Sequence, residues 1–305
     1  TRSVRVRGLS TKQVDDVAAW LGVEENLAPF TVRADIDGHD IHVLGTVIDE
    51  ITGDSVLHLP FFQNENQLWL VGVANLEGAN ESLWRTDLWL YNPTDQWLGG
   101  ELEYVDGDNP NDAYGFAWPT LNTNRTKQYL DIVGGELGLE DSRGYIYLAG
   151  DPVPQISART YNLDPLGGTY GLKLHAFTSE DLLEPGETGY IVGVSNSEDP
   201  DAGFRTNMGF LNTDRNGWTR LRITMYELDG TLAAEPYDFE IAPGKLMQFD
   251  IFKKFGFRTV TMSASIKVEV LDGGGMAVYA TEIDNRSQDS IYLPALTKVH
   301  GEVKK

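Results

Sequence analysis

One short pattern occurs three times in this chain and fixes how it is organised. In its last copy it reads Phe249-Asp250-Ile251-Phe252-Lys253-Lys254-Phe255-Gly256. The earlier copies are Leu130-Asp131-Ile132-Val133 running to Leu137-Gly138, and Asp15-Asp16-Val17-Ala18-Ala19-Trp20-Leu21-Gly22. Each predicts a short helix. Asp16, Asp131 and Asp250 stand as N-caps, where a carboxylate accepts from backbone N–H groups that have no helical partner, and a Gly closes the helix where a positive φ is needed. A Gln precedes each copy, at Gln13, Gln128 and Gln248. The capping residues are 115 and 119 residues apart. That period is the size of a whole domain, much longer than a solenoid repeat.

Strand patterns recur around each helix. The last copy gives alternating runs at Tyr237–Ile241, Ser263–Val270, Ala277–Ile283 and Ile291–Pro294. The middle copy gives Phe116–Pro119, Gly144–Leu148, Gln155–Tyr161 and Tyr170–Leu174, and the first gives Val4–Arg7, Phe30–Ala34, Ile41–Ile48 and Val56–Leu59. Thr46-Val47-Ile48-Asp49 aligns with Thr160-Tyr161-Asn162 and with Thr281-Glu282-Ile283-Asp284, and Leu59-Pro60 aligns with Leu293-Pro294. The later copies have an additional front half. Leu68–Asn75 matches Gly189–Asn196, Trp84–Asn92 matches Phe204–Asn212, and Leu102–Gly107 matches Met225–Gly230.

A complete unit is therefore about seven short strands with one helix between two of them. Short alternating strands joined by turn residues predict an all-β fold of tandem Ig-like antiparallel β-sandwiches. The expected division is 1–60, the back half of an incomplete sandwich; 61–176 and 177–298, two full sandwiches; and 299–305, a polar tail. Half a sandwich exposes an apolar face and bare strand edges, so residues 1–60 need a cover. An upstream segment, the following unit or a neighbouring copy could each supply it, the last building a head-to-tail polymer.

Arg85-Thr86-Asp87-Leu88-Trp89-Leu90-Tyr91-Asn92-Pro93, Ala158-Arg159-Thr160-Tyr161, Gly168-Thr169-Tyr170-Gly171, and Asp284-Asn285-Arg286 through Tyr292-Leu293-Pro294 resemble tandem Ig-like β-sandwich modules of large secreted or surface proteins of environmental bacteria. The resemblance covers nearly the whole chain. It implies an extracellular, non-catalytic module and offers no catalytic residues to carry over.

Composition agrees with that direction. A formal charge of −22 disfavours nucleic acid and anionic membranes as partners. No apolar run is long enough to span a bilayer, and the absence of Cys excludes disulfides and thiol chemistry. The start Thr1-Arg2-Ser3, with no signal peptide and no Met, reads as a processed chain, with an expected location outside the cell or on its surface.

No motif points to catalysis. There is no Gly-x-Ser-x-Gly elbow, and none of the five His recurs between units. His39 and His42 with Asp35, Asp37 and Asp40 read as a polar hairpin turn rather than a metal site. The best cofactor reading is calcium, on the oxygen-rich loop of Asp106, Asp108, Asn109, Asn111 and Asp112, although the loop lacks the EF-hand order and its closing Glu. Trp69, Trp84, Trp89, Trp97 and Trp118 read mainly as core and inter-unit packing, and carbohydrate stacking is the alternative use. Trp84 and Trp89 fall on opposite faces of one strand. Arg85 and Arg205 read as structural pins for a loop or carboxylate. The expected function is a non-catalytic extracellular structural or interaction protein, with a surface filament built through the N-terminal half-unit as its sharpest form. The alternative is a carbohydrate-binding or spacer segment of a larger secreted hydrolase.

Overall fold

The computed structural model describes residues 2–7, 10–23, 31–37, 41–58, 65–78, 82–197, 199, 201–256 and 261–296. The tail at 299–305, the turn residue Gly38 and the first residue of the expected strand at Phe30 lie outside them, as do the side chains of 116–119 and 261–262. The chain divides into Thr1–His39 and Asp40–Lys305.

The first unit contains helix α1, Val17–Leu21. Asp16 caps it by accepting from the Ala19 N–H at 2.9 Å, and Gly22 ends it in the left-handed conformation (φ 76°). No residue of α1 is buried. The alternating stretches at 4–7 and 31–34 form no strand, because among the described residues neither has a neighbouring strand to complete a ladder.

The second unit is all antiparallel β, with short helical turns. It opens with a two-stranded hairpin, β1 (Gly45–Ile48) and β2 (Ser55–His58). Two sandwiches follow. The first contains β3 (Gln67–Glu77), β4 (Leu83–Tyr91), β5 (Leu98–Asp106), β6 (Ala113–Leu121), β7 (Thr126–Tyr129), a π-helical turn (Ile132–Glu136), β8 (Ser142–Gly150), β9 (Gln155–Leu163) and β10 (Thr169–Lys173). After the linking strand β11 (Ala176–Phe177), the second contains β12 (Thr188–Asn196), β13 (Phe204–Asn212), β14 (Thr219–Tyr226), β15 (Tyr237–Ile241), β16 (Leu246–Asp250), helix α2 (Ile251–Lys254), β17 (Thr261–Asp272), β18 (Met276–Asp284) and β19 (Ser290–Pro294).

The two sandwiches share one strand plan. One layer runs β3-β8-β5-β6 in the first and β12-β17-β14-β15 in the second. The other has β4 between β7 and β9, with β10 outside β9, and β13 between β16 and β18, with β19 outside β18. In the first, the end of β3 also pairs with β4 (Leu76↔Trp84, Glu77↔Leu83), so its two layers join into one nine-stranded sheet, whereas those of the second stay separate. A glycine bulge recurs too. Gly72 (φ 97°) and Gly193 (φ 80°) shift the β3–β8 and β12–β17 registers by one residue, so inward-facing positions pass from Leu70 to Val73 and from Ile191 to Val194.

Each core is filled from the alternate positions of its strands: Leu88, Leu90, Ile146 and Leu148 in the first, Met208, Phe210, Ile266 and Val268 in the second. The helical turn plugs one end of each. Ile132-Val133 and Ile251-Phe252 are fully buried behind caps from Asp131 and Asp250, which accept from the N–H groups of Gly134 (3.1 Å) and Lys253 (3.0 Å). The middle copy closes as a π turn instead of an α-helix. Replacing Asp250 by Ala should lower stability by about 1 kcal/mol through the lost cap, read by denaturant unfolding.

Candidate functional site

The sheet β3-β8-β5 of the first sandwich turns its outer face to the sheet β16-β13-β18-β19 of the second, and the two faces enclose a third apolar core. Trp69, Val71, Val105 and Tyr145 come from one side, Leu211, Leu246, Ala277 and Tyr279 from the other, and Phe177 and Leu182 from the connection. Tyr279 is the centre. Its ring lies parallel to Tyr292 (centroids 4.6 Å apart, 11° between planes) and fills the space over Gly209, the residue opposite it on β13. Tyr292 donates from Oη to the Val71 carbonyl at 3.1 Å, and Tyr145 donates to the Gly244 carbonyl at 3.1 Å. Arg215 pairs with Glu103 and covers the Tyr147 ring at 5.3 Å. Burial pushes the Tyr145 phenol up to about 12, and pushes Tyr279 and Tyr292 up as well. A cavity of about 430 Å³ opens at the rim of this junction, lined by Pro110, Asn111, Tyr145, Arg215, Pro243 and Gly244.

The opposite outer face of the second sandwich, on β17-β14-β15, is built differently. Arg222 grips Asp238 with two nitrogens (2.7 and 2.9 Å), Lys267 meets Glu269 at 2.9 Å, and Arg220 and Glu240 are exposed. Such an ion-paired surface suits water, as the outer faces of terminal repeats do.

The hairpin β1–β2 uses two carboxylates to hold the outer edge of β10. Asp49 accepts from Thr169 N–H (3.0 Å) and Oγ1 (2.8 Å) through one oxygen, and from Ile51 and Thr52 N–H through the other. Asp54 accepts from Gly171 N–H at 3.0 Å and from Arg159 at 2.7 Å, and Thr52 donates to the Thr169 carbonyl. The carboxylates thus satisfy edge N–H groups that a further strand would otherwise take. Backbone donation, first from Thr52, lowers Asp49 to about 2. Burial, and then Asp54 beside it, raises Asp289. Burial, helped by Lys173 and Arg159, lowers His58 to about 4.

Asp49 contributes stability above its unfolded value of 3.8, and this is lost as pH falls from there toward 2. Asp289 acts oppositely, because its raised carboxyl favours the fold when it takes up a proton. The protection of the Thr169 amide, measured against its intrinsic exchange rate, should therefore fall between about pH 4 and pH 2, and Asp49→Asn should flatten that profile.

The sequence candidates divide clearly. In the oxygen-rich loop Asp106, Asp108, Asn109 and Asp112 are held by bonds within the loop and by Ser142 and Arg143 beside it. Asp106 accepts from the N–H groups of Asp108 and Asn109 and from the Ser142 hydroxyl, and Asn109 donates to Asp112 at 2.7 Å. Asp108 lies 3.6 Å from Arg143, and Asn111 lines the cavity. Among the described residues, no three His, Cys, Asp or Glu side chains group to hold a metal ion. His39 and Asp40 lie outside the described residues. Arg205 donates to Asn285 and Gln288 and so fixes the β18–β19 turn, while Arg85 lies 3.8 Å from Asp131.

Other residues carry weight that the sequence reading did not assign. Asn92 and Asn212 are buried and close equivalent loops. Asn92 donates to the Gln96 and Leu121 carbonyls, Asn212 to those of Gly217 and Ile241. Their recurrence before Thr94 and Asp214 was the available signal. Trp97 and Trp218 occupy equivalent positions at the starts of β5 and β14, and are 69% and 62% exposed.

No family model and no curated protein matches the chain. Among solved structures, those of infectious bursal disease virus strains Gx and Gt align with 83% and 88% of this chain and 69% and 80% of theirs. Identities are 9% and 8%, and TM-scores are 0.17 and 0.15. At those scores the likeness carries no argument about fold or function.

Proposed function

We propose that this chain is a non-catalytic structural protein of the cell surface or extracellular space, whose Ig-like modules stack face to face and which assembles head to tail through its N-terminal half-unit. The observation behind this reading is the hairpin β1–β2. Its turn repeats the β18–β19 turn bond for bond, with Asp49 N–H to Asp54 O matching Asp284 N–H to Asp289 O, yet among the described residues its sheet has only two strands. Leu44, Val47, Ile48 and Leu57 on and beside it are exposed. Two strands with exposed apolar side chains are a surface for another chain to cover. Light scattering with negative-stain electron microscopy on the purified chain should find an open head-to-tail series. A monodisperse monomer at high concentration would overturn the assembly reading.

The exposed pair Trp97 and Trp218 supports a second reading, a glycan-binding surface in which each module offers one stacking ring. Affinity electrophoresis in soluble polysaccharide tests it. Retardation lost in Trp97→Ala and Trp218→Ala supports that role, and unchanged mobility of the parent chain removes it.

A further inference from the structure

The lengths of three equivalent strands point to what the half-unit binds. In the second sandwich β18 is nine residues long and is laddered by β13 over all nine, from Phe204↔Asp284 to Asn212↔Met276. Its other neighbour, β19, reaches only Tyr279–Ile283. On that edge Met276–Val278 have only single contacts, a bridge from Met276 to Leu183 and the Ala295 N–H donating to the Val278 carbonyl, whereas β13 ladders them continuously. The first sandwich repeats this. β4 ladders β9 from Gln155 to Asn162, whereas β10 pairs only with Arg159–Leu163.

Aligned through their shared turn, Asp49 equates with Asp284, and Ile41–Val43 equate with Met276–Val278. In β1 the part laddered by β2, Gly45–Ile48, is strand. Ile41-His42-Val43-Leu44 is not, although its residue types favour strand. The missing strand structure is the stretch that a β13-type partner supports in the complete modules. Leu44, Val47 and Ile48 beside this edge are 63%, 61% and 61% exposed.

We infer that the edge of β1 opposite β2, which has no neighbouring strand among the described residues, accepts, in antiparallel register, an extended segment equivalent to β4 and β13, belonging to the front half of another module of this kind. The inference rests on the assembly reading above and names its partner. The segment enters on Arg-Thr, as Arg85-Thr86 and Arg205-Thr206 do, and continues with alternating apolar residues. Its Arg lies opposite Ile48 and its Thr opposite Val47, as Arg205 and Thr206 lie opposite Ile283 and Glu282. Binding extends β1 to cover Ile41–Asp49. The mode is strand addition, with main-chain bonds giving affinity and alternate side chains giving selectivity.

The test uses the full chain and a free peptide with the sequence of Phe204–Asn212, titrated to about 1 mM, where an interaction near −4 kcal/mol is detectable. The expected result is slowed amide exchange and strand-type carbon shifts at Ile41–Ile48, with a scrambled peptide at least ~10-fold weaker. Val43→Pro and Leu44→Pro should abolish the effect in at least one case. Successive N–H groups alternate between the two edges of a strand, so one of the pair faces the partner, and neither lies in strand in the free chain. No change at Ile41–Ile48, or equal response to the scrambled peptide, overturns the inference. The two readings fail separately. Filaments without peptide binding would place assembly on another surface and sink only this inference. Peptide binding by a strictly monomeric chain would keep the inference and sink self-assembly.

Discussion

Truncating Tyr279 to Ala is expected to destabilise the chain by about 3–5 kcal/mol, the range for large aromatic side chains removed from cores. The ring is fully buried, stacks on Tyr292 and roofs Gly209, so its loss opens a cavity between two sandwiches that depend on one another for that face. Tyr279→Phe separates the ring from its hydroxyl. The Oη is buried and has no hydrogen-bond partner among the described residues. A buried polar group without a partner costs about 1–3 kcal/mol, so the Phe variant should match or exceed the parent in stability. Denaturant unfolding of the three proteins checks both statements. A loss of about 2 kcal/mol or more in Tyr279→Phe would mean that the hydroxyl is bonded in solution.

Gly209→Ala is the second large effect. A Cβ at 209 would fall within the Tyr279 ring, and a ring held against Tyr292 on its other side has nowhere to retreat. Overpacking of this kind costs about 1–3 kcal/mol. The two sites should be strongly non-additive. In a Tyr279→Ala background the added methyl enters vacated space, so Gly209→Ala should cost little, with a coupling of about 1–3 kcal/mol in the double-mutant cycle. Additive losses would show that the clash is relieved by backbone movement.

Much of the fold was legible because local chemistry and period agreed. An Asp before two apolar residues has one good use at each of 16, 131 and 250, and alternation set the core strands. The register of one fixed point was not legible. Thr160 and Thr281 look equivalent as letters, yet Ala158 and Ala280 occupy matching positions on β9 and β18, so Thr160 matches Glu282 instead. Alternation fixes which face a residue lies on, but a lone Thr does not fix its place along the strand. The expected strand Ile41–Ile48 forms only from Gly45, since composition favours a strand but a strand needs a laddering neighbour, and β2 reaches only Gly45–Ile48. The inter-module core was the largest omission. Trp69 reads from sequence as core or inter-unit packing, but Val71, Tyr145 and Tyr279 also stand at outward positions, where alternation predicts water, and only a second sheet makes burial there favourable.

The pair at the heart of the junction also limits how such a chain can grow by duplication. Where the second sandwich has Gly209 opposite Tyr279, the first has Trp89 opposite Ser157 at the matching positions of β4 and β9. Large and small have changed strands. A duplicated first module inserted after itself would present an indole where the existing seat accepts none. A module appended after the second would meet the ion-paired face of Arg222, Asp238, Lys267 and Glu269. Each module thus carries an address as well as a fold, and recombination that preserved every strand would still misassemble the stack until both members of a cross-strand pair had changed together.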